Sequence, residues 1–255
     1  MRKINLNKQI EFIVDFIQKQ LFFAGFSKLI VGLSGGIDSS VTAALSVKAV
    51  GRENVFGMML PYRKSHPDSF NDAVKVAELL GIYYETVDIS PMVDSYFDKF
   101  EKDADILRRG NRMARERMCV LFDLSAKYKA LVAGTGNLSE LMIGYCTQYG
   151  DSACAFEPIG HLYKTEVYEI AEILGLPKSV ITKKPTADLW EGQTDEDEMG
   201  ITYAELDEIL YHMLELKTDE QELISTFTEK RIEKVKKMIK NSEFKRNMPP
   251  SPEMI

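Results

Sequence analysis

A chain of 255 residues suits one α/β domain, or at most two small ones, and its 45% hydrophobic and 28% charged residues match a folded globular protein. The net charge of -7 argues against nucleic acid as the main partner, because phosphate backbones call for basic surfaces, but leaves room for a local cationic pocket. No run approaches the ~18 apolar residues of a membrane span, MRKINLNKQIEFIVDFIQ lacks the apolar core and cleavage site of a signal peptide, and Cys119, Cys146 and Cys154 form no CxxC pair, so a cytoplasmic, reduced protein is expected.

In chain order, Ile4, Ile10, Ile13, Val14, Ile17 and Leu21 fall at helical spacing and predict an amphipathic helix over 4–24. KLIVGL predicts a first strand over 28–33, and Val41, Ala44, Leu45 and Val47 mark one face of the next helix. NVFGMMLP reads as a strand buried on both faces. DSFNDAVKVAELLG reads as a helix with Asp68 as N-cap and Gly81 as its stop. YYETVDI is a third strand, 103–129 a long charged helix, ALVAGT a fourth strand, and KTEVYEIAEILGLP a helix stopped by Gly175 and Pro177. The polar segment 182–200 carries the only tryptophan, Trp190, and a loop of that length is expected to be functional. Residues 202–240 are helical with heptad-like apolar spacing. The alternation predicts a single-domain, doubly wound α/β fold on a parallel sheet of order 3-2-1-4-5, with right-handed crossovers and no internal domain boundary.

Between the first strand and its helix lies Gly32-Leu33-Ser34-Gly35-Gly36-Ile37-Asp38-Ser39. Its glycines permit positive φ and close backbone approach. Turn and helix-start N–H groups, with the helix dipole, favour a phosphate. The loop lacks the lysine of GxxxxGK[ST] and the spacing of GxGxxG, which excludes a Walker loop and a dinucleotide fingerprint. A carboxylate beside bound phosphate needs a cation between them, so Asp38 suggests magnesium, unless it only caps the helix. In the expected strand order, strands one and four are neighbours, and ligands bind at the switch point outside their carboxyl ends. Gly134-Thr135-Gly136-Asn137 should therefore face the loop, and Glu140 could share the cation with Asp38.

SGGIDS at Ser34 to Ser39 resembles the pyrophosphate loop of the ATP-pyrophosphatase (PP-loop) superfamily, with its adenine nucleotide alpha-hydrolase-like fold. GTGNLSELMIGYCTQYGD, PIGHLYKTEVYEIA and KPTADLWEGQTDEDEMG extend the similarity, in order and over nearly the whole chain, to the ammonia-dependent NAD synthetase family. That resemblance implies amidation of deamido-NAD by ATP and ammonia through an acyl-adenylate, with release of AMP and pyrophosphate. It implies that Gly32 to Ser39, Thr135, Lys164 and Thr186 hold ATP and that Asp38 and Glu140 ligate magnesium. Arg115 and Lys245 would contact deamido-NAD, and 182–200 would close as a lid. Asp151 is a candidate for taking the ammonium proton. Departures from the family stand at Gln148 (often lysine), Ala155 (often aspartate) and Phe244 (often histidine), all in segments expected to hold deamido-NAD. A symmetric homodimer is expected, and a separate glutaminase could feed it ammonia. Two rival readings share the loop: amination or tRNA modification by another PP-loop enzyme, and a nucleotide-sensing module without catalysis.

Overall fold

Apolar runs too short for helices and flanked by amphipathic segments assemble a parallel sheet covered on both faces. The computed structural model describes residues 2–63, 65–190 and 192–252. The first half of the chain supplies α1 (Leu6–Ala24), β1 (Leu29–Gly32), α2 (Ile37–Val50), β2 (Val55–Met59), α3 (Pro67–Leu80), β3 (Tyr83–Thr86), α4 (Ser90–Phe100) and α5 (Ile106–Tyr128). The second half supplies β4 (Leu131–Ala133), α6 (Leu138–Ile143), α7 (Lys164–Ile173), α8 (Lys178–Ile181), α9 (Asp195–Met199) and α10 (Tyr203–Tyr211). A π turn (His212–Leu216) then leads to α11 (Glu220–Thr226), α12 (Glu229–Asn241) and α13 (Glu243–Arg246).

The strands pair in the order β3-β2-β1-β4, all parallel, so β1 and β4 are neighbours as expected. The fifth position is reduced to a single bridge. Phe156 lies beside Ala133, Ala155 N–H donates to the Val132 carbonyl at 2.9 Å, and Gly134 N–H donates to the Phe156 carbonyl at 2.9 Å. Pro158 follows at once and has no N–H to extend such a ladder.

Alternation along β1 divides the core. Leu29 and Val31 pack with α1, α2, α3 and α7, while Ile30 packs on the other face with Met58, Val93, Phe97, Met113 and Leu124 from β2, α4 and α5. A third apolar cluster joins α6, α10 and α12 through Ile143, Leu206, Ile209, Leu210 and Val235. Helix ends follow local chemistry. Asn5 caps α1, and Gly25 and Gly81 end α1 and α3 in the left-handed region. The cap of α3 differs from expectation: His66 accepts from Asp68 N–H, Pro67 occupies the first turn, and Asp68 lies inside the helix. The segment 182–200 is not wholly loop, because Thr194 caps the short α9. Among the described residues no helix is long and apolar enough to cross a membrane.

Candidate active site

The phosphate loop is built by backbone and hydroxyls. Gly35 has φ +74°, and a Cβ there would lie 2.0 Å from the Ser69 carbonyl oxygen of α3. Only glycine satisfies both constraints. Ser39 Oγ donates to the Gly36 carbonyl at 3.0 Å and stands 3.1 Å from Ser34 Oγ, while Ser40 Oγ donates to Gly36 at 2.8 Å. These bonds fix the turn at the start of α2, where the helix dipole favours an anion. Ser34, Gly36 and Ile37 line a small cavity of about 30 Å³ with Ser69, Lys183, Lys184, Thr186 and Asp188. Thr186 therefore meets the loop. Lys183 and Lys184 bring two cations to the same place and were not singled out in the sequence.

Asp38, in the first turn of α2, points toward the end of β4. Asn137 is the hinge between them. Fully buried, it caps α6 by accepting from Glu140 N–H at 3.0 Å and donates its amide to Asp38 Oδ1 at 2.8 Å. One side chain thus orients both acids. Their cation is supplied by the protein: Lys164 Nζ lies 2.5 Å from Asp38 Oδ2 and 3.0 Å from Glu140 Oε1. The lysine is only 2% exposed, and its ammonium stands over the Tyr203 ring, 4.9 Å from the centroid. Lys164, expected to reach the phosphates, joins the two acids in the fold.

The cluster continues through Tyr203, whose hydroxyl lies 3.2 Å from Glu140 Oε1 and 3.1 Å from Asp195 Oδ2. Tyr145 lies 3.1 Å from Asp195 Oδ1 and 2.5 Å from Glu198 Oε2. Burial opposes the charge on Lys164, yet Asp38 and Glu140 outweigh it and hold its acidity well below that of a free lysine. Burial also pushes the Glu140 carboxyl up to about 7, against the lowering pull of Lys164. Asp195 and Tyr203 are likewise pushed up by burial.

Lys164 is held from behind. Asp207 of α10 is fully buried, and its Oδ2 accepts from Thr165 N–H at 2.9 Å. Its Oδ1 bonds to Ser139 Oγ, which accepts from Lys164 N–H at 2.9 Å. An acid at the start of α7 complements the helix dipole and sets the first residue, Lys164. No local sequence signal ties Asp207 to residue 164, because 42 residues separate it from its partner Thr165.

Thr135 and Gly136 line a second cavity of about 50 Å³ with Glu140, Leu141, Tyr145, Cys146, Asp151, Ser152 and Glu157. Asp151 accepts from Thr147 N–H at 2.8 Å, and Glu157 accepts from Gly136 N–H at 2.9 Å. Burial raises the Glu157 carboxyl to about 7. A Cβ on Gly134 would fall 2.2 Å from Glu157, so the glycine admits this acid.

The expected substrate residues separate into two groups. Arg115, on α5, reaches the Gln148 carbonyl through Nε and Nη2, both at 3.3 Å, which brings those two positions together. Ala155 is exposed beside β4. Phe244 is 59% exposed on α13, and Lys245 Nζ is committed to the carbonyls of Gly144 and Cys146, each at 2.7 Å. Arg246, unremarked in the sequence, donates to Met142 at 2.6 Å and Leu141 at 3.2 Å, capping the carbonyl end of α6.

The residues present suit magnesium as a ligand of bound phosphate. Asp38, Glu140 and Asp195 place three acids around one lysine, and Glu140 Oε2 has no protein hydrogen bond among the described residues. Among those residues no group of three or more His, Cys, Asp or Glu forms a ready metal site. Two protein carboxylates, completed by phosphate and water, are the usual provision for magnesium.

A phosphate loop facing acids and a lysine across the switch point of a parallel sheet defines a nucleotide-binding α/β protein equipped for chemistry on the phosphates. The NAD synthase family model matches residues 9–249, and the chain belongs to that family. It is 50% identical over 252 residues to an NH(3)-dependent NAD(+) synthetase from Fusobacterium nucleatum, covering 98% of this chain and 97% of that one. A protein of the same name from Trichlorobacter lovleyi is 49% identical, covering 98% and 92%. Among solved structures, an NH3-dependent NAD synthetase from Campylobacter jejuni has a TM-score of 0.84 at 34% identity, covering 98% and 100%. An NMN synthetase from Francisella tularensis has a TM-score of 0.89 at 30% identity, covering 99% and 100%.

Proposed function

We propose that the chain amidates deamido-NAD to NAD with ATP and ammonia, and that the Asp38–Lys164–Glu140 cluster beside the phosphate loop carries this reading. The carboxylate of the nicotinate ring attacks the α-phosphorus of ATP, and the bond to the β-phosphate breaks. Pyrophosphate leaves with its electron pair toward Ser34, Gly36, Lys183, Lys184 and Thr186, where N–H groups and two ammonium groups meet the growing charge. Magnesium held by Asp38 and Glu140 would supply further neutralisation of the phosphates. Lys164 keeps those two acids at fixed separation. Ammonia then attacks the acyl carbon, AMP departs, and the nitrogen loses a proton. Asp151, with Glu157 and Glu140 on the same cavity wall, is the proposed acceptor of that proton. Residues 182–194 act as the lid that keeps water from the adenylate, consistent with Thr186 and Asp188 lining the phosphate cavity.

The remaining roles follow the same reading. Thr135 contacts ATP from the second cavity. Arg115, Gln148, Ala155, Phe244 and Lys245 form the deamido-NAD side. The protein works as one domain in the cytoplasm. It pairs as a homodimer through exposed apolar residues of α1 and α5, among them Phe22, Phe23, Leu107 and Phe122. Free ammonia is the nitrogen source, and a separate glutaminase could supply it.

A second reading keeps the chemistry and shortens the acceptor to the nicotinate mononucleotide, yielding NMN, the product named for the Francisella neighbour. The departures at Gln148, Ala155 and Phe244 fall in the segments expected to hold the acceptor. The test is product analysis with ATP, magnesium, ammonium and either acceptor. Stoichiometric AMP and NAD, absent without ammonium, is the expected outcome. NMN formed in preference selects the second reading, and no AMP with either acceptor refutes both.

A further inference from the structure

The first turn of α7 is held by side chains of three elements. The N–H groups of Tyr163, Lys164 and Thr165 have no partner inside the helix. They donate to Glu166 Oε2, Ser139 Oγ and Asp207 Oδ2, each at 2.9 Å. Ser139 and Asp207 reach the turn from α6 and α10. Glu166 belongs to α7 itself, so its grip depends on what holds its carboxylate. That partner is Arg2, ahead of α1. Arg2 Nε donates to Glu166 Oε1 at 2.7 Å and Nη2 to Oε2 at 2.9 Å, a planar two-point match. Nη2 also donates to the His161 carbonyl at 2.8 Å, and Nη1 to Glu215 Oε1 of the π turn at 3.2 Å.

The surroundings make this pairing matter. The Glu166 side chain is 4% exposed and that of Arg2 19%. Arg2 also stands over the buried Tyr163 ring, 5.1 Å from the centroid, and the Tyr163 hydroxyl donates to Glu215 Oε1 at 2.9 Å. Among the described residues Arg2 is the cation paired with Glu166. Without it a buried carboxylate would have no facing charge and would turn away from Tyr163 N–H toward water. The residue after Tyr163 is Lys164, whose ammonium meets Asp38 and Glu140 at 2.5 and 3.0 Å. Charged contacts this short weaken when the backbone beneath them shifts.

We propose that Arg2 is a positioning residue for the reaction: through Glu166 it fixes the start of α7, and thereby the place from which Lys164 holds Asp38 and Glu140. This rests on the ATP-cleaving reading given above. Four of the five guanidinium donors are committed within the protein, and Arg2 transfers no proton. Its loss acts on the chemical step, where the two acids serve the reacting phosphates, and leaves binding of ATP by the phosphate loop in place. No local sequence signal announces the role, because 164 residues separate Arg2 from Glu166.

The alternative is that Arg2 only fastens the segment ahead of α1 to the body of the protein. Steady-state kinetics of AMP formation separate the two, run at a temperature where every variant is folded by circular dichroism. Arg2→Gln should lower kcat about 5–20-fold with KM for ATP within about twofold. Arg2→Lys keeps the charge without the two-point match and should lower kcat about 2–5-fold. Glu215→Gln breaks the ion pair to the π turn and spares Glu166, so its kcat should stay within about twofold of wild type. In a Glu166→Gln background, Arg2→Gln should cost less than about twofold more. Hydrogen exchange at the Tyr163 and Lys164 amides should quicken about 10-fold or more in Arg2→Gln. If Arg2→Gln does not fold, the lysine variant and its exchange rates make the comparison. An unchanged kcat in the folded variant, a fall in kcat matched by Glu215→Gln, or full additivity with Glu166→Gln overturns the proposal. Absence of AMP formation by the wild type removes the functional reading and the proposal with it. AMP formation by the wild type with unchanged kcat in the variants removes only the role given to Arg2.

Discussion

The phosphate loop and the acid–lysine cluster meet at one switch point but are made differently. The loop is eight consecutive residues, Gly32 to Ser39, held by its own hydroxyls and by the carbonyl of Ser69 against Gly35. The cluster takes Asp38 from α2, Asn137 and Glu140 from the β4–α6 junction and Lys164 from α7. Tyr203 and Asp207 come from α10. A contiguous device depends on backbone conformation at each position. A dispersed one depends on charge balance and on the packing that brings its parts together. The two should therefore fail in different ways.

The largest effect belongs to the cluster. Lys164→Met removes the one cation that bridges Asp38 and Glu140 among the described residues and leaves two half-buried carboxylates facing each other. Turnover should fall at least about 1000-fold, and stability without ligands by about 3–5 kcal/mol. Steady-state kinetics and urea unfolding check both, and turnover within tenfold of wild type would remove Lys164 from the chemistry. In the loop, Gly35→Ala must accept positive φ and a clash with Ser69. It should cost about 2–5 kcal/mol whatever the salt or pH, and a loss below about 1 kcal/mol would contradict the backbone account.

Asp207→Asn sharpens the contrast, since it touches no substrate. It should lower turnover about tenfold through Lys164, with KM for ATP nearly unchanged and about 1–2 kcal/mol of stability lost. An equal fall in kcat and rise in KM would mean that Asp207 supports the fold generally.

A smaller effect concerns pH. Glu157 has its pKa raised by burial from 4.5 to about 7, so between those values the folded state holds a proton that the unfolded state has released. Stability from this group is highest below about 4.5 and declines as pH rises to about 7. Replacement by Gln should remove about 1–3 kcal/mol of that decline, read from unfolding free energies across the interval. A slope equal to that of wild type would show that Glu157 is solvated. The smallest effect is expected at the exposed Phe244. Its change to Ala should raise KM for deamido-NAD about 3–10-fold without altering stability, and an unchanged KM would mean that the ring meets no substrate.

The same contrast explains what was legible in the sequence. The loop, the strand order β3-β2-β1-β4 and the pairing of Asp38 with Glu140 follow from local patterns and one topological rule. Periodicity placed α1, α5 and α7 within a few residues. The reduced fifth strand was not visible, because Phe156 makes only one bridge before Pro158. The cap of α3 went to His66 because Pro67 suits the first turn and leaves Asp68 one position inside. Asn137 could have been noticed as an Asn three residues before Glu140, an N-cap spacing. Asp207, Tyr203 and Asp195 carry no such signal, since their contacts to Ser139, Glu140 and Tyr145 span 50 residues or more. Lys183 and Lys184 read as ordinary surface charges until the fold sets them against Ser34 and Gly36.

The most direct measurement follows oxygen. Deamido-NAD labelled with oxygen-18 in its carboxylate, turned over with ATP and ammonium, should deliver one labelled oxygen to AMP and none to pyrophosphate. That result shows attack on the α-phosphorus with pyrophosphate as the leaving group. Label in pyrophosphate or in inorganic phosphate, with unlabelled AMP, would contradict the adenylate and with it the arrangement assigned to Asp38, Glu140 and Lys164.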